Sequence, residues 1–301
     1  MKEFEAKLLK IIKPEQLKKN VNLKDYHTFR IDTFAKCVVL CTNQNELEKT
    51  LQLLNEQKLQ YILLGNGSNV IFRHKLVKKI IVICTENIIK SYKGKQGVYF
   101  TVFSGTKLKE LVALCQRFGV SGLEWANGIP ASVGGATRMN AGAYGSCIGD
   151  YVQSVKAYKN GKITRYSKSR CKFGYRNSIF ANNPIAIIEI KLMLPYGNKD
   201  SINLRMNTYI TDRLKKQPLG LPNAGSVFKN TSAFPAGWFI EHAGLKGAQI
   251  GGAMVSQKHA NFIVNTGNAT YSDIIKLITK IQKTVYEKFS VHLEQEIVVI
   301  D

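Results

Sequence analysis

Between Asn127 and Gly145 the chain reads NGIPASVGGATRMNAGAYG, almost half glycine and alanine and without any repeat. Backbone free of side chains can approach a phosphate and offer it N–H donors, and a helix N-terminus adds a favourable dipole. Pro130 suits the first turn of such a helix, and the short residues from Ser132 to Ala136 leave its start open. A second small cluster, Ala141-Gly142-Ala143 beside Asn140, fits an extended planar or diphosphate ligand. Close packing of a helix on a sheet selects the same residue types. In GNGSN, residues 65–69, Gly65 and Gly67 begin like a dinucleotide fingerprint. Val70 stands where the third glycine belongs and a strand-like VIF follows, so this is no Rossmann turn. A tight β-turn explains those glycines equally well, and no Gly-Lys pair has the Walker spacing.

Polar side chains with chemical potential lie further along. Glu296 opens EIVVI, whose four successive apolar residues predict a strand covered on both faces, with Glu296 on the face of Val298 and Ile300. A carboxylate beside a dry face has a raised pKa and can share or donate a proton, although a salt bridge at a strand end accounts for it as well. Glu294 occupies the same face one pair earlier. Ser226 follows Ala224-Gly225, which leaves its hydroxyl open to a ligand; serine after glycine is also an ordinary turn residue. Arg176, in GYRNS, sits in a turn-rich segment where an arginine is commonly a surface residue. His259 reads as a ligand contact or as a satisfied core histidine.

The elements that must position these residues fall into three α+β blocks without internal repeats: 1–80, 81–200 and 201–301. Phe4, Leu8, Ile11 and Ile12 predict a short helix ending near Pro14. The next block predicts a strand before Thr42, a helix from NQNELEKTLQLLNEQK with Asn43 and Glu46 as a capping box, and strands at YILL and VIF, a βαβ-like opening. KIIVIC and GVYFTVFSG read as strands, and KLKELVALCQRFG as a helix stopped by Gly119. A hairpin turns at Asn160-Gly161 with type I′ chemistry, and IAIIEIKLML predicts a strand buried on both faces. From Ser201 come a polar helix, short strands around GSVFKN and ANFIVN, and a long helix from Thr270 to Phe289 with Thr270 and Asp273 as its capping box.

The 301 residues are 45% hydrophobic and 21% charged, which excludes a disordered chain. A net charge of +22 and a pI near 9.7 attract anions of every kind, from nucleic acid to diphosphate metabolites. The lysine clusters lack the aromatic interleaving of a stacking platform, so a solvated surface is the expectation, with no nucleic-acid or membrane partner. Six cysteines show no C-x-x-C pair and no metal-ligand spacing with the five histidines, so no metal site is expected. Free thiols, a charged amino terminus without a signal-peptide core and the lack of a ~20-residue apolar span predict a cytoplasmic protein.

GNGSNV, GIPASVGGATRMNAGAYG, YRNS, NAGSVFKN, AGLKG, KHANFIVN and LEQEI occur in the order found in the UDP-N-acetylenolpyruvoylglucosamine reductase family, which the chain resembles from about Asn22 to its end. The likeness is to the shorter, type II form, without the extra loop and split βαββ insertion. It implies an α+β fold: a two-part FAD-binding region of the PCMH/vanillyl-alcohol-oxidase-like type, in subdomains 1–80 and 81–200, and a separate substrate-binding domain, 201–301. It implies an NADPH-dependent flavoenzyme of peptidoglycan precursor synthesis with non-covalent FAD and no obligate protein partner. Leu64, Gly65, Asn66, Gly67, Ser68 and Asn69, with Gly128, Ile129, Pro130, Ser132, Val133, Gly134, Gly135 and Ala136, would hold the diphosphate. Asn140, Ala141, Gly142 and Ala143 would lie along the cofactor. Asp32-Thr33 and Ala131 depart from the family's glycines and bear on fine cofactor contacts.

Reducing an enol ether conjugated to a carboxylate needs a hydride, a proton and stabilisation of the charge that develops between them. The resemblance makes Arg176 the group that polarises the substrate carboxylate, Ser226 the proton donor and Glu296 the catalytic carboxylate. A lasting charge and a planar fork suit arginine to that work. Tyr175, Arg213, Lys216, Lys229, Asn230, Lys258 and His259 fall at family-like positions for the rest of the substrate. The alternatives are a flavin oxidase of the same fold acting on an alcohol or sugar, and a basic nucleotide-binding protein without catalysis.

Overall fold

The computed structural model describes residues 2–301. The chain forms two compact units, each assembled from separated segments. The first takes residues up to Asn20 with Lys36–Asn66 and Lys78–Ile210; the second takes Val21–Ala35, Gly67–Val77 and Thr211–Asp301.

In the first unit, the strand Phe34–Cys41 leads into the helix Gln44–Glu56 and the strand Tyr61–Leu64, with Ile80–Cys84 inserted in parallel between the two strands. Leu47, Leu51 and Leu54 are fully buried in the core beneath this sheet, as their spacing predicts, and Leu53 joins them. Only half of the expected capping box forms. Asn43 Oδ1 accepts from the Glu46 amide at 2.9 Å, but the Glu46 carboxylate accepts instead from Thr42 N (2.7 Å) and Gln16 Nε2 (2.7 Å). Glu46 thereby pins the amino-terminal segment, whose helix is confined to Lys2–Leu8.

The unit's second layer is a five-stranded antiparallel sheet in the order Lys162–Ser167, Val152–Lys159, Ala186–Pro195, Gly97–Phe103, Ile89–Lys93. Asn160 and Gly161 have φ of 48° and 80°, as a type I′ turn requires. Burial of Ala186–Pro195 on both faces holds for Ala186, Ile187 and Ile188 but fails from Lys191 onward, where the residues alternate. Helices Leu108–Phe118 and Val133–Arg138 join a core with Val98, Phe100, Val102, Ile190 and Leu192. Gly119, at φ 65°, ends the first of them.

The second unit has a four-stranded antiparallel sheet, Asn223–Ser226, Phe262–Asn265, Ala253–Val255, Gln249–Ile250. Its helix Tyr271–Phe289 buries Ile274, Leu277, Ile278, Ile281 and Val285, and the Thr270–Asp273 capping box forms in both directions, at 3.2 and 2.9 Å. EIVVI departs from expectation. Only Val298–Ile300 is a strand; it pairs with Val70–Phe72 alone, and Val298 is 40% exposed. Glu296 lies before that strand, half-buried, so the dry-face argument for it does not hold.

Candidate functional site

In the first unit the two glycine-bearing loops meet. Asn66 Nδ2 donates to the Pro130 carbonyl at 2.7 Å, and a Cβ on Gly65 would stand 2.5 Å from Ser132 Oγ. Gly65, Asn66, Gly128 and Pro130 remain exposed along this junction, with Gly128 at φ 84°, while Leu64 is buried behind it. Pro130 does not begin the helix, which starts at Val133 with Ser132 as its cap; Ser132 Oγ accepts from Gly135 N at 3.1 Å. The helix-start amides are also committed. Val133 N donates to Thr106 O and Gly134 N to Ser104 O, at 2.8 and 2.9 Å. A Cβ on Gly134 would come within 2.7 Å of Ser104 Cβ and 2.8 Å of its carbonyl oxygen. Gly134 is therefore required by the close seat of this helix on the sheet, and the backbone left exposed at the junction is that of Gly65, Asn66, Gly128 and Pro130. This rim suits an anionic group at Gly65, Asn66 and Gly128, whose exposed backbone carries N–H donors; Pro130, without an N–H and with its carbonyl bonded to Asn66, only shapes it.

Gly67, Ser68 and Asn69 belong to the second unit. Gly67 is buried at φ 62°, where a Cβ would strike Tyr26 O at 2.2 Å and His27 Cα at 2.5 Å. Its bareness serves that crossing of chains.

The YRNS segment is a tight turn closed by two backbone bonds, Gly174 N to Asn177 O (3.0 Å) and Asn177 N to Gly174 O (3.2 Å). Arg176 sits at its tip at φ 51°, with its guanidinium 5.2 Å from the Tyr175 ring centroid and Nη1 donating to Gly142 O at 2.9 Å. Asn140 is buried, and its side chain donates to Gly174 O at 2.8 Å and accepts from Gly149 N at 2.9 Å. Its backbone N–H donates to Thr137 O at 3.2 Å, so side chain and amide alike are committed within the fold. Nothing in the sequence marks Arg138 or Ser178, yet both brace this region: Ser178 Oγ donates to Arg138 O at 2.6 Å, and Arg138 donates to Ala181 O and Ile185 O at 3.0 and 3.2 Å. Burial lowers the Arg138 pKa.

In the second unit, Ser226 ends its strand opposite Phe262, half-buried, and Gly225 at φ 76° faces open space. The segment after it is stitched to the carboxyl terminus. Glu296 N donates to Val227 O at 2.7 Å, Asn69 Nδ2 donates to Glu296 O at 3.2 Å, and Lys229 N donates to Glu294 O at 2.8 Å. Ser226 is thus the immediate chain neighbour of the residue that receives the Glu296 amide. Asn261, which sequence reasoning missed, fixes the same segment, bonding Phe228 N and O at 2.9 and 2.8 Å. The Lys229 ammonium is ion-paired with Glu294, which is 72% exposed and so poorly placed for proton chemistry. Lys216 pairs with Asp212 at 2.7 Å, Lys258 Nζ donates to Leu214 O at 2.6 Å, and Asn230 Oδ1 caps the helix Ala236–His242 through Ala236 N at 3.1 Å. Arg213 is buried. His259 Nδ1 accepts from Asn261 N at 3.2 Å; burial, then the Lys246 charge, lowers its pKa and favours the neutral ring.

Family models for an FAD binding domain and for the UDP-N-acetylenolpyruvoylglucosamine reductase C-terminal domain match residues 35–167 and 217–300. The fold is a two-part FAD-binding region with a separate α+β domain, and the FAD binding domain together with the relatives below makes the protein an FAD-dependent oxidoreductase. A UDP-N-acetylenolpyruvoylglucosamine reductase of Thermotoga petrophila is 42% identical over 91% of this chain and 95% of its own, and one of Clostridioides difficile is 37% identical over 97% and 96%. The crystal structure of the Thermus caldophilus enzyme superimposes with a TM-score of 0.79 at 31% identity, covering 95% of this chain and all of that one. An alkyldihydroxyacetonephosphate synthase, 16% identical with a TM-score of 0.52 over 65% of this chain, shares the fold alone. The chain belongs to the UDP-N-acetylenolpyruvoylglucosamine reductase family. Among the described residues no helix is long and apolar enough to cross a membrane.

Proposed function

We propose that this protein reduces the enolpyruvyl group of UDP-N-acetylglucosamine enolpyruvate to give UDP-N-acetylmuramate, in the cytoplasm, with subdomains 1–80 and 81–200 holding FAD and 201–301 holding substrate. FAD held there would supply the hydride chemistry between NADPH and the alkene carbon beta to the carboxylate. The chain's own residues manage charge and proton. The Ser226 hydroxyl gives the proton to the carbon alpha to the carboxylate. The Arg176 fork holds that carboxylate and steadies the charge that builds on it, and Glu296 assists the same step. Tyr175, Arg213, Lys216, Lys229, Asn230, Lys258 and His259 take the nucleotide half. Three of those cations, Lys216, Lys229 and Lys258, already rest on protein oxygens, which a substrate diphosphate would replace.

The observation that supports the reading is the bond from Glu296 N to Val227 O, which ties the backbone of Glu296 to the residue after Ser226. Steady-state assay tests it: NADPH oxidation should depend on the enolpyruvyl nucleotide and yield the saturated lactyl ether by mass spectrometry. Oxygen consumption with alcohols or sugars, without nucleotide reduction, would assign the protein to the oxidase class instead.

A further inference from the structure

We infer that Asn140 is a positioning residue for Arg176, acting through the base of the turn that presents the guanidinium; the inference rests on the role proposed above for Arg176. Asn140 lies buried just past the helix Val133–Arg138, in the left-handed region at φ 44°, a conformation that asparagine tolerates better than most residues. Its two hydrogen bonds go in different directions. The acceptor bond from Gly149 N closes the loop that follows the hairpin Gly142–Cys147, and the donor bond to Gly174 O grips the YRNS turn. Gly174 is the residue whose N–H and carbonyl both close that turn with Asn177, so Asn140 holds the point from which Tyr175 and Arg176 project. Arg176 also rests on Gly142 O, two residues beyond Asn140 in the chain. A buried amide replaced by a group that cannot donate leaves the Gly174 carbonyl facing a repulsive partner, and the turn must shift. A shift of about 1 Å in a group that holds substrate costs on the order of a hundredfold in rate.

Asn140→Asp separates the two bonds, because the carboxylate still accepts from Gly149 N but loses its donor to Gly174 O. In the expected variant the rate at which the enolpyruvyl nucleotide reoxidises the flavin falls about ten- to a hundredfold relative to the rate at which NADPH bleaches it. Titration of the oxidised protein with that nucleotide, which needs no turnover, should show weakened binding. Lowering the pH should restore part of the rate, since the introduced carboxyl regains a donor once protonated. In an Arg176→Ala background the Asn140 change should slow reoxidation no further. Effects that multiply in the double variant, or loss of flavin from Asn140→Asp, would overturn the positioning role while leaving that of Arg176 intact. A single Arg176→Ala variant that reoxidises normally would instead remove the parent reading. If the aspartate variant does not fold, Asn140→Gly, which accepts φ 44° without strain but lacks both side-chain bonds, should slow reoxidation without recovery at low pH, and normal reoxidation by it would overturn the role.

Discussion

At the scale of single residues, the hydroxyl of Ser226 is the most exacting commitment. It stands half-buried after Gly225, in a segment locked by Asn261 and by the Glu296 amide. Ser226→Ala removes one hydroxyl and leaves the backbone pairing of that segment in place. NADPH should bleach the variant's flavin at nearly the normal rate, and substrate should reoxidise it about a hundredfold more slowly in stopped-flow absorbance, the loss expected for one proton donor. Normal reoxidation would remove Ser226 from the chemistry. The flavin itself should leave the protein on acid precipitation; flavin retained in the pellet would show a covalent link, for which Cys147 is the cysteine nearest in sequence to the cofactor stretch. The roles proposed for Ser226 and Glu296 rest on motif order. Glu296 does not owe its place to a dry strand face, because apolar periodicity cannot tell a covered strand from a two-stranded edge.

Elements explain what the glycines do. The sequence marked 127–145 as bare backbone and left open whether a ligand or close packing required it; close packing answers for Gly134, and the ligand role is proposed for the exposed rim. Gly134 seats a helix on Ser104, whereas Gly65, Asn66, Gly128 and Pro130 form the exposed rim. Helices with strong apolar periodicity, such as Gln44–Glu56 and Tyr271–Phe289, and the Asn160-Gly161 turn were legible because local rules alone specify them. The partners of Gly134 and Asn140 were not, because the residues that meet them, Ser104 and Gly174, are distant in sequence. Gly134→Ala should therefore cost about 1–3 kcal/mol of stability in denaturant unfolding, through overpacking against Ser104. An unchanged midpoint would contradict the close seat. The same unit holds Glu124, buried and paired with Arg205 at 2.6 Å. Burial tends to raise its pKa, but hydrogen bonds from Arg205, its own amide, Gly122 N and Ser121 outweigh this and hold it below the usual glutamate range. A carboxyl whose pKa is depressed by folding stabilises the protein above its unfolded pKa and loses that contribution as pH falls through the folded value. Unfolding midpoints of the wild type should thus drop more steeply below the ordinary glutamate range than those of Glu124→Gln, and parallel acid limbs would refute the linkage.

Over the whole molecule, a net charge of +22 surrounds a reaction whose substrates are anionic nucleotides. Such a field raises encounter rates and is screened by salt. kcat/KM for the enolpyruvyl nucleotide should fall several-fold as ionic strength rises from about 0.05 to about 0.5 M, with kcat little changed; a flat response would mean that the charge serves something else. The broad architecture, an α+β fold with its flavin region first, was within reach of the sequence through motif order. The two units were not, because the second is assembled from segments that stand on either side of the whole of Lys78–Ile210. The central claim is that the bound flavin passes its electrons to an enolpyruvyl nucleotide. Its most direct test is to reduce the purified yellow protein with one equivalent of NADPH without oxygen, add UDP-N-acetylglucosamine enolpyruvate and follow the flavin absorbance. The account predicts rapid reoxidation, with one UDP-N-acetylmuramate formed per flavin. Flavin that stays reduced until oxygen is admitted, with the nucleotide recovered unchanged, would contradict it.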